Sequence, residues 1–205
     1  MIKINFLKIT VFSASLSPLA WLTYRALTLS LGPDPQLEVV HFTGTWAMYL
    51  LLITLAVTPA YKMLNWRWSP SLRRMLGLFS LFYALLHITA YSIFIVGLDL
   101  SLLVSETLER PYIALGAIAF VLLCLLGATS TKGMMRRMGR RWKTLHRSIY
   151  WLTPLVLWHY HWSLKLNKSE VYPYIILLLI LFVLRSPPLI AFWKKFRQKT
   201  GQFTN

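Results

Sequence analysis

Residues 73–96 read RRMLGLFSLFYALLHITAYSIFIV. Two arginines open this stretch, and from Met75 onward His87 is the only side chain that titrates near neutral pH among apolar, aromatic and small hydroxyl side chains. An apolar run of about 20 residues is long enough to cross the hydrocarbon core of a bilayer as a helix. The stretch therefore predicts a transmembrane helix that carries an ionisable side chain inside the membrane.

Similar apolar runs recur along the whole chain. They predict an all-α fold, a polytopic membrane helical bundle of six transmembrane helices, with one domain over residues 1–205 and only short loops. The first run has the basic flank of a signal peptide but no convincing small-residue cleavage site, so we expect it to be retained. The six predicted spans are 9–31, 43–61, 75–96, 111–129, 148–164 and 171–190.

The composition supports a membrane protein. Hydrophobic residues make up 57% of the 205 residues and charged residues only 14%, against about 25% charged in soluble domains. A net charge of +16 would suggest nucleic-acid binding in a soluble protein, but here the charges lie between apolar runs. The single cysteine, Cys124, excludes an internal disulfide and a cysteine-based metal site, and we interpret it as a buried apolar residue.

The charges are distributed unequally between alternate loops. Most of the 22 basic residues lie at the N-terminus, between spans two and three, between spans four and five, and in the tail. Basic loops face the cytoplasm, so both termini are predicted to be cytoplasmic in a bacterial inner membrane. The other loops contain all six acidic residues, Asp34, Glu38, Asp99, Glu106, Glu109 and Glu170.

The basic loop between spans four and five has an apolar face. Met134, Met138, Trp142 and Leu145 recur at helical spacing, with arginine and lysine between them. This pattern is typical of an amphipathic helix on the anionic leaflet. Two other interpretations stay open: a loop whose charges only fix the topology, and a docking surface for a soluble electron donor.

Two of the five histidines are predicted to lie at the same depth. At 1.5 Å per residue, His87 lies about 18 Å from the cytoplasmic end of its helix, and His159 lies about 20 Å beyond His146 on the fifth. Each needs a reason to be inside the membrane. Imidazole is an axial ligand of haem iron, and a bundle core is where such cofactors lie. The spacing favours His87 and His159 as ligands of one haem.

The other histidines have weaker patterns. His146 lies at the cytoplasmic mouth of span five, and an ideal helix would point it about 140° away from His159. Either a kink at Pro154 aligns the two, or His146 precedes the regular helix. His161 is expected to be an interfacial residue beside two tryptophans, and His41 to cap the second span or approach the outer haem edge.

Other uses of the histidines find less support. A proton relay or a metal transporter would need carboxylates inside the membrane, and no predicted span contains one. No Cys/His quartet has zinc-ligand spacing. No glycine-rich nucleotide loop is present either, so an electron donor must be a separate molecule. The rival class is a non-redox membrane protein, a small transporter or an assembly factor, although no clear internal repeat supports a transporter.

Several stretches, in this order and at this spacing, resemble the MsrQ (YedZ) family, part of the ferric-reductase-like transmembrane group. The resemblance covers nearly the whole chain. Its stretches are LGPDP at 31–35, HFTG at 41–44, RRMLG at 73–77, LHITAY at 86–91, RPY at 110–112, TST at 129–131, GRRWKTLH at 139–146 and HYHWS at 159–163.

The resemblance implies a function in electron transfer. Members bind haem b through histidines that correspond to His87, His146 and His159, and they are associated with FMN. They pass electrons from the quinone pool or a cytoplasmic flavin reductase to MsrP, a periplasmic molybdenum enzyme that reduces methionine sulfoxide in proteins. The chain is then a non-catalytic redox subunit of a protein-repair system.

One departure from the wider group concerns the cytoplasmic side. That group holds two stacked haems with two histidine pairs, but Arg73 and Arg74 stand where the partner of His146 is expected. A second haem is absent, or takes its ligand elsewhere, or His146 serves the flavin or the quinone. The two arginines suit a flavin phosphate or a haem propionate, or act only as positive-inside anchors.

Overall fold

Helices make up the regular structure of the described part of the chain. A computed structural model describes residues 2–64, 69–164, 168–186, 188–189 and 191–193, and no strand occurs among them. The helices are α1 Ile2–Leu27, α2 Pro35–Leu64, α3 Ser69–Phe94, α4 Leu100–Glu109, α5 Pro111–Ala128, α6 Lys132–Met138, α7 Arg140–His146, α8 Ile149–Ser163 and α9 Tyr172–Val183, with a 3₁₀ turn at Lys168–Val171 before α9.

Four of the described helices are long and apolar enough to cross a membrane. The segments are Phe6–Leu27, Pro35–Met63, Leu72–Phe94 and Pro111–Ala128, and they agree with the first four predicted spans. Helices α8 and α9 have 15 and 12 residues. The six-span topology therefore stays a prediction for its last two members. Residues 187 and 190 of the sixth predicted span, Arg67 and the basic tail lie outside the described residues.

The second helix begins earlier than predicted. It starts at Pro35, where Asp34 accepts a hydrogen bond from the backbone N–H of Leu37 at 3.0 Å and caps the first turn. His41 therefore lies inside α2, and the expectation that it caps this helix is wrong. The first helix ends at Leu27, short of the predicted span, because Leu29 takes a left-handed φ of 52°.

Two antiparallel helix pairs form the centre of the bundle. Helix α2 packs chiefly against α3, and α5 packs chiefly against α8. Contacts of α3 with α5 and of α2 with α8 join the two pairs, while α1 and α9 cover their outer sides. The buried core between α2, α5, α8 and α9 centres on Met48, Leu51, Leu55, Leu152 and Leu157.

Tyr83 ties α1 to α3. Its hydroxyl accepts a hydrogen bond from the Leu19 N–H at 3.1 Å and donates one to the Ser15 carbonyl at 2.9 Å. The hydroxyl thus bridges the i, i+4 pair of α1 beside Pro18, where the helical ladder is already interrupted. The ring is fully buried, so this bridge fixes α1 on the bundle.

The basic loop is helical but not one helix. Gly139 interrupts it with φ 54° and ψ −121°, a conformation open to glycine but strained for other residues, and separates α6 from α7. Met134, Met138, Trp142 and Leu145 are half-buried, as the predicted apolar face requires, but they lie on two helices. The expectation of a single amphipathic helix is wrong because its pattern takes no account of the glycine.

Helix α4 was not predicted. Asp99 caps its first turn by accepting hydrogen bonds from the N–H groups of Ser101 and Leu102. None of its ten residues is fully buried, and three of its leucine and valine side chains, at positions 100, 104 and 108, are exposed along one side. The sequence predicts a loop here because the segment has no long apolar pattern. Short helices depend more on their caps and surroundings than on such a pattern.

Candidate functional site

His87 projects from α3 toward α2. Its Nδ1 lies 2.9 Å from the carbonyl oxygen of Val40. A carbonyl can only accept a hydrogen bond, so the ring proton resides on Nδ1 and Nε2 keeps its lone pair. A histidine that binds a metal is typically held in this way, with one ring nitrogen fixed by a backbone carbonyl and the other free to ligate.

His159 repeats this arrangement on the second helix pair. Its Nδ1 lies 2.6 Å from the carbonyl oxygen of Tyr112 on α5. Again the bond places the proton on Nδ1 and leaves the Nε2 lone pair available. In both cases 47 residues separate the histidine from its carbonyl partner. The sequence shows no clear internal repeat, but the structure uses the same local arrangement twice.

A glycine makes room for each imidazole. Gly44 lies one turn after Val40, and a Cβ there would approach His87 Nδ1 to 2.9 Å. Gly116 lies one turn after Tyr112, and a Cβ there would approach His159 Nδ1 to 2.8 Å. Real Cβ contacts essentially never come this close. The glycines therefore allow each ring to lie against the neighbouring helix.

The two imidazoles come close together where the two helix pairs meet. Their ring centroids are 6.3 Å apart, and their planes meet at 78°. Metal–imidazole bonds of about 2 Å, with about 1.1 Å from nitrogen to ring centre, would place two rings about 6 Å apart on opposite sides of one metal ion. Both rings remain partly accessible. The spacing and the Nε2 lone pairs fit a haem iron that both histidines would hold.

His146 lies apart from this pair. It ends α7, before the turn that precedes α8, as one sequence interpretation anticipated. Its ring stacks on Trp142 at 4.0 Å, and its Nδ1 lies 3.2 Å from the Trp142 carbonyl. Burial lowers the pKa of His146 below its usual value, and the charge of Arg73 adds to this effect. Hydrogen bonds to the carbonyl groups of Trp142 and Leu126 oppose this lowering of the pKa.

The remaining histidines do not join the pair. His41 is exposed on α2. His161 lies beside Tyr172, with ring centroids 6.4 Å apart, and next to the exposed Trp158 and Trp162. Over the described residues, no three His, Cys, Asp or Glu side chains come together as a metal-binding group.

The two candidate arginines of α3 differ in their surroundings. Arg73 is half-buried, and its charge acts on both His146 and Arg185. Arg74 is exposed. Adjacent residues of a helix point about 100° apart, so only Arg73 faces the bundle.

The sequence did not predict the contacts of Arg185, which lies within the sixth predicted span. It donates hydrogen bonds from Nη1 to the Tyr150 hydroxyl at 2.7 Å and from Nη2 to the Leu55 carbonyl. That carbonyl is free because the residue four positions later, Pro59, has no N–H to donate. Two features of the sequence could have indicated this contact: an arginine within an apolar run, and a proline inside the second span that leaves a backbone carbonyl without its helical partner.

Comparison with known proteins identifies the class of this bundle. Residues 43–157 match the family described as ferric reductase like transmembrane component. The match includes α3 with His87 and most of α8, and it ends two residues before His159. The match covers more than half of the chain. No solved structure is significantly similar to it.

Curated relatives narrow the class further. Three proteins named protein-methionine-sulfoxide reductase heme-binding subunit MsrQ align along nearly all of the chain. The protein of Cronobacter sakazakii is 38% identical over 94% of this chain and 96% of its own. That of Herminiimonas arsenicoxydans is 39% identical over 94% and 88%, and that of Klebsiella pneumoniae is 38% identical over 96% of each. The chain belongs to the MsrQ family.

Proposed function

We propose that this chain is a membrane electron-transfer subunit that binds haem b through His87 and His159. One observation carries the proposal: two imidazoles from separate helix pairs lie 6.3 Å apart, each with Nδ1 bonded to a carbonyl and Nε2 free. The relatives are named heme-binding subunits, which agrees with this chemistry. Haem b, once bound, takes up and releases one electron at its iron.

The protein's part is to hold the ligands. The bonds to Val40 and Tyr112 fix each ring in one tautomer and make Nε2 more basic, which strengthens its bond to a metal. Gly44 and Gly116 let the rings lie close to α2 and α5. The surrounding apolar helices lower the local dielectric constant, and such a shell contributes to the reduction potential of a haem site.

The partners follow from the family. The relatives' names place them in a protein-methionine-sulfoxide reductase. We infer that this chain passes electrons to a periplasmic molybdenum enzyme of the MsrP type and does not itself reduce methionine sulfoxide. The donor is the quinone pool or a cytoplasmic flavin reductase. The exposed arginines of α6 and α7 would suit a docking donor by charge.

A second cofactor is proposed at the other end of the bundle. His146 is partly accessible, and the charge of Arg73 acts on it. These residues suit either an FMN, whose phosphate Arg73 or Arg74 would attract, or one side of a second haem. The donor's electron would enter here and leave through the site of His87 and His159.

We further propose six spans in the bacterial inner membrane, with both termini in the cytoplasm. Four described helices have the required length and composition. Helices α8 and α9 would supply the other two, extended by neighbouring residues. The distribution of acidic and basic residues supports this orientation.

Absorption spectra test the function. The purified protein should show reduced-minus-oxidised bands of haem b. His87→Ala or His159→Ala should lower the haem content about tenfold or more, because each variant removes one of the two histidines that would hold the haem. His41→Ala, an exposed histidine, is the matched control and should keep its haem. A colourless wild-type protein, or bands unchanged in both variants, would exclude ligation by this pair and favour the non-redox class.

A further inference from the structure

We propose that Arg185, with Arg73 and Tyr150, binds the phosphate group of a ligand at the end of the bundle where α3 and α8 begin. Arg185 is held between α2 and α8 by its bonds to Leu55 and Tyr150. Its guanidinium carbon lies 5.3 Å from the centre of the Tyr150 ring, so the side chain is also packed on an aromatic face. The arginine is thus fixed in place.

This fixed arginine keeps donors that no described residue accepts. Guanidinium has five N–H donors, and Nε of Arg185 is buried without a hydrogen-bond partner among the described residues. A buried donor left unpaired is costly, and a charged one costs more. The guanidinium therefore has both the charge and an unpaired donor that an anion would satisfy.

No carboxylate side chain is available to balance this charge. All six acidic residues of the sequence lie at the opposite end, where α2 begins and α3 and α8 end. At the Arg185 end, Arg73 adds a second positive charge, and the two arginines repel each other. Two arginines with no acidic side chain beside them favour the binding of an anion.

Phosphate is the anion that this chemistry fits best. Arginine recognises phosphate through parallel N–H bonds, and two arginines match a group with up to two negative charges. Phosphate is also the common anion at this level of a bilayer, since Tyr150 is the second residue of α8 and Arg73 the fifth of α3. The phosphate belongs either to an anionic lipid or to a small phosphorylated molecule such as FMN.

Paired ligands that differ only in phosphate distinguish these sources. The probes are phosphatidylglycerol against diacylglycerol, and FMN against riboflavin, added to the purified protein in detergent. Thermal unfolding and native mass spectrometry measure binding. One phosphate-bearing member of a pair should bind and raise the unfolding temperature, while its phosphate-free partner should not. Failure of both phosphate ligands to bind more tightly than their partners would overturn the proposal.

Variants locate the site. Arg185→Gln and Arg73→Gln should each weaken phosphate-dependent binding about tenfold or more, since each removes charged hydrogen bonds. Arg136→Gln removes the same charge from an exposed position of α6 and should bind as the wild type does. Equal binding by wild type and Arg73→Gln, or equal losses in Arg136→Gln, would overturn the proposal. If Arg185→Gln does not fold, the half-buried Arg73 decides the comparison.

The site does not depend on haem. Only the FMN arm relates to the flavin association proposed above. Haem bands recorded on the same samples separate the two proposals. Phosphate-dependent binding without haem would contradict the proposed function and leave this inference intact. Haem without phosphate-dependent binding would overturn only this inference.

Discussion

Single residues decide whether the two imidazoles can meet. The depth of His87 and His159 follows from the sequence because a helix rises by a constant distance per residue. The carbonyls of Val40 and Tyr112 and the two glycines did not follow, because they belong to other helices and depend on how the helices pack. The sequence thus predicted that these two histidines come together but not what orients them.

Replacing either glycine should disturb haem binding. Gly44→Ala or Gly116→Ala would place a methyl group within 3 Å of an imidazole, so the ring must move and its Nδ1 bond must break or lengthen. Outer-sphere changes of this kind cost about 10- to 100-fold in metal affinity, and haem content after purification measures the loss.

Gly77→Ala is the matched control for that experiment. Gly77 lies on α3 with His87, and its added Cβ would meet Thr54 at an ordinary 3.7 Å. This variant should keep its haem and gain helix propensity. Equal haem content in all three alanine variants would mean that the glycines do not position the ligands.

At the scale of elements, Trp142 fixes α7 to the bundle. Its Nε1 donates to the Thr129 carbonyl at the end of α5 at 2.9 Å, and its ring stacks on His146. The sequence predicted the apolar face that includes Trp142. It did not predict that this face anchors a separate short helix. The break between the two helices lies at Gly139 and depends on its backbone angles, which the sequence does not show.

Trp142→Phe should loosen α7 without disturbing the histidine pair. Phenylalanine can still stack on His146 but cannot donate to Thr129, and the lost bond is worth about 1 kcal/mol. Amide exchange of residues 140–146 should therefore become several-fold faster, while the spectrum assigned to His87 and His159 stays unchanged. Unaltered exchange would show that other contacts hold α7.

At the scale of the whole molecule, charge and hydropathy predicted most of the architecture. Four long helices agree with the predicted spans, because length and apolar composition suffice to define them. Helix α4 and the position of Arg185 were missed, since both depend on caps or partners distant in the chain. The asymmetry of charge remains the basis for the proposed orientation.

Labelling with a membrane-impermeant maleimide tests that orientation. In a Cys124→Ala background, Ser101→Cys on α4 should react in intact spheroplasts, whereas Thr144→Cys on α7 should react only after lysis; both positions are exposed. The positive-inside rule places the first outside and the second inside. Reaction of Thr144→Cys in intact spheroplasts would reverse the assigned topology.

The twofold use of one ligand arrangement has a consequence for biogenesis. Each helix pair contributes one imidazole, so an iron bound by both would cross-link the two pairs. The two pairs otherwise contact each other less extensively than the helices within each pair do. Metal binding of this kind adds its free energy to folding. A newly inserted chain that has not received its haem would then be the looser form, and the one that membrane proteases remove first.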